Sequence, residues 1–305
     1  MVVSEKTAQL MEARQGRNFF IRKVLIGSAW QNPSLTLVAL HGTCATQSQY
    51  NLVLMALDEP LSNAGVSIVC WLYDNVGCGQ SPVLDEWDAY SNEEFADDLR
   101  AILMNITFKD EYLDLPVVLM GHSYSPTIVL EMLNRGLPVD NLNLAGFVFV
   151  GSAIRAQSNA LKMEDGGHPI MKLPVFILNC LQNMLSESFL QLALCKDCPA
   201  DLRERCRQQN NANGMAMAKA THRHHKWATS EDLKSLLNIP VLVIHGTEDG
   251  ILSPQCSEEI AKELPNASLI LIEKASHLVM LEQPTKMANA LSDFLIMDVL
   301  KRPAY

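Results

Sequence analysis

The chain has 305 residues, 48% of them hydrophobic, with 24 Lys and Arg against 34 Asp and Glu for a formal net charge of −10. That is enough apolar material for a large core, built as one domain or as a domain carrying an insertion. The acidic balance repels phosphate backbones, which argues against nucleic acid as a partner and leaves apolar ligands and the uncharged part of a membrane open.

Residues 1–17 are polar and mixed in charge, with no apolar signal core and no small-residue cleavage site. Residues 301–305 match no targeting tail. Eight cysteines are scattered, several inside apolar runs, as Cys70 is within residues 68–72. That suits small buried thiols better than a disulfide framework. The expectation is an intracellular, cytoplasmic protein.

Residues 19–26 have strand composition, and 35–40 form a second apolar run that ends in His41-Gly42-Thr43. Residues 49–57 have helical spacing, with Gly65 as a stop. Another strand, 67–73, closes in a turn-rich loop over 74–82. Ser91 followed by Glu94 is a capping box, opening a helix that carries Phe95, Leu99, Ile102, Leu103 and Ile106 on one face. An apolar strand then runs into Gly121-His122-Ser123-Tyr124-Ser125-Pro126, with a helix from there to residue 134 and a strand over 144–150. Short apolar strands between amphipathic helices predict a mostly parallel sheet covered on both faces, with right-handed crossovers.

The rhythm breaks over residues 153–238. Residues 173–194 are helical in composition, but Asn179, Gln182, Asn183 and Glu187 make them a poor membrane span. A Gln-, Asn-, Met- and Ala-rich stretch follows over 207–220. The strand pattern returns at 240–245. Ser253-Pro254 opens a helix to 264, 267–272 is a strand, and 285–300 is a final amphipathic helix. The division expected is a core made of residues 1–152 and 239–305, with a helical cap inserted as residues 153–238.

Gly121-His122-Ser123-Tyr124-Ser125 has the form of a nucleophile elbow, G-x-S-x-G, except that Ser125 stands for the second glycine. A sharp strand-to-helix turn pushes the Ser123 hydroxyl clear of the backbone, and small neighbours let the helix fold back. A serine hydroxyl is a weak nucleophile, so it needs a base, an acid to hold that base, and donors for an oxyanion. Each candidate follows a strand, where an open α/β sheet presents its functional loops. His277, after the last strand, is the candidate base, in preference to His41, His122, His168, His222, His224, His225 and His245. Asp249, in His245-Gly246-Thr247-Glu248-Asp249-Gly250, is the candidate acid, with Glu248 as the alternative. One oxyanion donor is the backbone N–H of Tyr124. The other comes from the loop after Gly42, either Thr43 or Cys44.

These stretches, with Asp74 to Ser81 and Ser276-His277-Leu278-Val279-Met280-Leu281-Glu282-Gln283-Pro284, resemble the α/β-hydrolase fold family over nearly the whole chain outside the insertion. More narrowly, residues 173–181 and 277–282 resemble one group of abhydrolase domain-containing proteins. The resemblance implies an α/β-hydrolase fold, a triad of Ser123, Asp249 and His277, and cofactor-free hydrolysis of esters or related acyl bonds. Ser125 and Ser276 depart from glycines common in the family. A fold member acting as a scaffold or receptor, and hydrolysis of thioester, lactone or carbon–carbon bonds, stay open.

Zinc is the sharpest rival, through Cys195, Cys198, Cys206, His222, His224 and His225. The irregular spacing and flanking cations favour an ordinary helical turn and a basic patch instead, so no metal is expected. In the insertion, Met163, Met171 and Met184, with Leu173, Phe176, Ile177, Leu181 and Leu185, are candidates to line an apolar tunnel over Ser123. That predicts a small-molecule acyl substrate with a medium or long chain, and transient lipid contact through the cap.

Overall fold

Six-residue runs of apolar side chains need cover on both faces, and helices supply it throughout this protein. The computed structural model describes residues 4–28, 32–109, 114–136, 142–155 and 169–301. The chain runs β1 (Ser4–Arg14), β2 (Arg17–Gly27), β3 (Leu35–Leu40), α1 (Asn51–Asn63), β4 (Ser67–Tyr73), α2 (Asn92–Lys109), β5 (Val117–His122), α3 (Ser125–Asn134) and β6 (Leu144–Val150). Then come α4 (Val175–Ala193), α5 (Ala200–Ala212), α6 (Met215–Arg223), β7 (Val241–Gly246), α7 (Gln255–Glu263), β8 (Ala267–Ile272), α8 (Val279–Glu282) and α9 (Pro284–Asp293). A π-helical turn, Phe294–Val299, continues α9, where the spacing predicts one uninterrupted helix.

The eight strands form one sheet in the order β1-β2-β4-β3-β5-β6-β7-β8. From β4 to β8 the neighbours are parallel, while β2 is antiparallel to both β1 and β4. This is the arrangement that the family resemblance implies. Alternation along the central strands divides the core. Leu35, Leu37, Ala39, Val118 and Met120 pack on one face with α1 and α9. Val38, Leu40, Val117 and Leu119 pack on the other with α2 and α3.

Strand β1 is not foreseen in the sequence. Its residues are polar and mixed in charge, a composition tolerated here because β1 is an edge strand, paired on one side only. The capping box before α2 forms only in half. Ser91 Oγ accepts from Glu94 N at 3.3 Å, while the Glu94 carboxylate turns to Arg14 Nη2 at 3.0 Å.

Helices α4 to α6 lie between β6 and β7 and contribute to both cores, through Leu190, Ala193 and Leu202 on one face and Met217 and Ala220 on the other. Among the described residues, no helix is long and apolar enough to cross a membrane. Phe176 and Met184 on α4 face outward, 70% and 54% exposed, so these two do not line an enclosed tunnel. Met163 and His168 lie outside the described residues.

The sheet has a topological switch at β3. The chain leaves β3 toward β4 and later returns on its other side as β5, so the loops after β3 and β5 diverge and leave a crevice at their carboxyl ends.

A buried ion cluster ties the β1–β2 hairpin to α2. Arg17 Nε donates to Asp98 Oδ1 at 2.6 Å, Arg17 Nη2 bonds Asp98 Oδ2, and Arg14 Nη1 reaches Asp98 Oδ1 at 2.9 Å. Burial pushes the Asp98 carboxyl pKa up further than Arg17 and Arg14 pull it down. Removing one partner would strand a buried guanidinium. Asp98→Ala should therefore cost about 3–5 kcal/mol, read as a lower urea midpoint at unchanged m-value.

Candidate active site

Ser123 sits at the tip of β5 with φ of 58°, in the left-handed region that residues with a Cβ rarely occupy. Its backbone is held on both sides. Ser123 N donates to Val150 O at 2.9 Å, and Ser152 Oγ donates to Ser123 O at 2.6 Å. Helix α3 folds straight back on the strand, so a Cβ on Gly121 would lie 2.8 Å from the Pro126 ring. Ser125, in place of the second glycine, is buried, and its hydroxyl donates to His41 O. The departure from the motif thus tethers the elbow to the loop after β3.

The loops after β5, β7 and β8 bring three side chains together. Ser123 Oγ is 3.0 Å from His277 Nε2, and His277 Nδ1 is 2.8 Å from Asp249 Oδ2. Nδ1 faces a carboxylate, so it carries the proton, and the Nε2 lone pair faces the serine hydroxyl. Asp249 Oδ1 accepts from Ile251 N and Leu252 N, both at 2.8 Å. A second histidine, His245, places Nε2 3.0 Å from Asp249 Oδ2, and its Nδ1 pairs with Ser257 Oγ at 2.6 Å. Burial by itself would raise the Asp249 pKa. His277 and His245 outweigh it and hold the carboxyl well below the usual range. The alternative acid, Glu248, is exposed and meets the His277 loop through its backbone, with Glu248 N donating to Ala275 O at 2.9 Å.

The register of β3 and β5 pairs Leu40 with Gly121, which brings Gly42-Thr43 level with Ser123-Tyr124. A Cβ on Gly42 would lie 3.3 Å from Ser123 Cβ and 2.6 Å from His122 Nδ1, so a larger residue would be forced into the elbow. Thr43 and Tyr124 therefore stand on adjacent loops beside the serine. Cys44, the alternative donor, has φ of 56°. Behind this loop, His41 Nδ1 donates to Gly42 O at 2.8 Å and its Nε2 accepts from Asn75 N at 2.9 Å. The Asp74 carboxylate accepts from Gln47 N at 2.8 Å and Gln80 N at 3.0 Å.

Several contributors carry no local sequence signal. Among the described residues, His122 makes no hydrogen bond to the Ser123 hydroxyl; its ring lies 4.8 Å from that of His277 and its Nε2 donates to His277 O at 3.0 Å. Phe189 on α4 sets its edge against the His277 ring, with centroids 6.4 Å apart. The last turn of α4 is stapled to both loops. Leu192 O accepts from Gly250 N at 3.0 Å and Ser276 Oγ at 2.9 Å, and Ala193 O from Leu278 N at 3.2 Å. Glu282 accepts from Ser276 N through one oxygen and from both Cys195 N and Cys195 Sγ through the other, each at 2.7 Å. Burial and Glu282 push the Cys195 thiol up to about 12. Among the described residues, no group of three or more His, Cys, Asp or Glu could hold a metal ion.

Comparison with known proteins agrees with this architecture. The sequence model of the family described as serine aminopeptidase, S33 matches residues 31–284. Protein ABHD8 of Mus musculus is 26% identical over 234 residues, covering 73% of this chain and 48% of that protein. The chain thus spans about half the length of the ABHD8 relatives it matches. A proline iminopeptidase of Saccharolobus solfataricus is 22% identical over 280 residues, covering 85% of this chain and 84% of that one. Among solved structures, a thermophilic esterase from Thermogutta terrifontis superposes with a TM-score of 0.71 at 20% identity, over 92% of this chain and 93% of that one.

The depressed Asp249 carboxyl has a consequence for stability. Its contribution is complete above the unfolded pKa of about 3.9 and is lost as the pH falls through the lower folded value. Asp249→Asn should flatten the acid side of the stability–pH curve, measured as denaturant midpoints across that range.

Proposed function

We propose that this chain, which belongs to the α/β-hydrolase family described as serine aminopeptidase, S33, is a serine hydrolase that cleaves carboxylic esters or related acyl bonds through Ser123, His277 and Asp249. The observation that carries the reading is the continuous hydrogen-bonded path from Ser123 Oγ through both nitrogens of His277 to Asp249 Oδ2.

In this reading Ser123 Oγ attacks the acyl carbon while His277 Nε2 takes its proton. The carbonyl electrons move onto oxygen, and the N–H groups of Thr43 and Tyr124 stabilise that oxyanion. Asp249 remains ionised and stabilises the imidazolium. His277 then gives its proton to the leaving group as the old acyl bond breaks, leaving an acyl-enzyme. Water, deprotonated by His277, attacks the acyl carbon and releases the acid, and the proton returns to Ser123. These side chains supply every proton transfer, so the mechanism calls for no cofactor.

The substrate class proposed is an apolar acyl group. Phe189 against the His277 ring supports an apolar approach to the serine. Residues 153–238 would act as the cap that selects the chain, and exposed Phe176 and Met184 on α4 support transient contact with lipid. The free state of Cys44, Cys70, Cys78, Cys180, Cys195, Cys198, Cys206 and Cys256 supports a reducing, cytoplasmic setting.

Intact-mass measurement after fluorophosphonate treatment should show one adduct on the wild type and none on Ser123→Ala. A folded wild type that takes no adduct would move the receptor or scaffold reading ahead. In a nitrophenyl ester series from acetyl to dodecanoyl, kcat/KM should rise with chain length. Equal or faster turnover of the acetyl ester would refute the long-chain preference.

A further inference from the structure

The oxyanion side of the site is gripped from outside the sheet. Helix α6 and the segment after it bring His225 against Tyr124, with the two rings stacked 3.8 Å apart at an interplanar angle of 20°. The same imidazole places Nε2 3.3 Å from Thr43 Oγ1. One side chain thus touches both residues proposed above as oxyanion donors. A second grip comes from Asn213, in the turn between α5 and α6, whose Nδ2 donates to Cys44 O. That carbonyl belongs to a residue in the left-handed region, which local preference alone would not hold.

Both grips are built into the fold. His225 is 5% exposed and Asn213 6%. The far end of Tyr124 is fixed as well: its hydroxyl donates to Asn92 Oδ1 at 2.5 Å and accepts from Lys226 N at 2.8 Å. Trp227 stands at the edge of the Tyr124 ring, its centroid 5.1 Å from that of Tyr124 and 6.2 Å from that of His225. Burial, with His222 acting in the same direction, holds the His225 imidazole well below the usual histidine range. A neutral ring can share a hydrogen bond with the Thr43 hydroxyl in either tautomer.

Resting on the serine-hydrolase reading above, we propose that His225 and Asn213 are positioning residues for the oxyanion hole, holding the Thr43–Cys44 turn against Tyr124 so that its N–H donors meet the developing charge. The insertion would then do more than cover the site: its docking would complete the catalytic geometry. Donor placement matters because the hole acts on the transition state, not on the bound ester.

The test compares His225→Phe, which keeps the stacked ring and loses the hydrogen bond, with His225→Gln, whose amide nitrogen reaches near the Nε2 position. Asn213→Leu and Thr43→Val remove the other partners, and Thr43→Val serves if a buried substitution prevents folding. Read-outs are kcat and KM on one nitrophenyl ester, and affinity for an alkyl trifluoromethyl ketone, whose hemiketal oxygen occupies the hole. His225→Phe, Asn213→Leu and Thr43→Val should each lower kcat and inhibitor affinity about tenfold with KM within about twofold, while His225→Gln retains most of both. His225→Phe combined with Thr43→Val should lose no more than either alone. Folded variants with unchanged inhibitor affinity, losses confined to KM, or losses that multiply in the double variant would overturn the proposal. A wild type that takes no fluorophosphonate would instead bring down the hydrolase reading, and this proposal with it.

Discussion

The strained turn at Ser123 is the constraint on which the rest of the site depends. A left-handed φ on a serine costs on the order of 1–3 kcal/mol and persists only where surrounding structure over-determines it. Here the neighbours do so. The Ser123 N–H is held by the end of β6, its carbonyl by Ser152, and the next turn of backbone by Ser125 on His41 O. Each hydrogen bond is worth roughly 1 kcal/mol net, so together they match the strain. What the strain achieves is exposure of one hydroxyl above a sheet whose central strands β3, β5 and β7 are buried at every position.

The histidine that meets this hydroxyl is held just as firmly, by elements remote in sequence. His122 holds its carbonyl, Asp249 its Nδ1, and Glu282 the amide just before it. Glu282 also holds Cys195, and the end of α4 holds both loops through Leu192 and Ala193. Helices α4 to α6 and their turns therefore bear on the site at two places, through α4 on the His277 side and through Asn213 and His225 on the Thr43–Tyr124 side. Substitutions in α4 to α6 can shift the groups around Ser123 without touching it, and the proposed chemistry would feel this because fixed donors and acceptors act only within a narrow range of distance.

Legibility followed the range of the interactions. The central strands and their helices were readable because burial on both faces leaves continuous apolar runs, as in β3, β5 and β7. Strand β1 was not, because an edge strand can be polar and its pairing partner, not its own composition, makes it a strand. The half-formed capping box shows the same limit: Ser91 and Glu94 have the right spacing, but Arg14, far away in sequence, competes for the carboxylate.

At the site, the sequence by itself determined where a serine, a histidine and an aspartate would stand at strand ends, since the elbow motif and the loop positions are local properties of the chain. It also determined that the neighbours of Ser123 in the elbow must be small, whereas the same demand on Gly42 came from the structure. Only the tertiary structure puts His277 Nε2 at hydrogen-bond distance from Ser123 Oγ and Asp249, not Glu248, against His277 Nδ1, and only it shows His122, His225 and His245 holding other parts of the site. It also turned Phe176 and Met184 outward. The physical reason is that hydrogen bonds of about 3 Å between loops on different strands depend on register, twist and packing, and no short stretch of sequence carries those.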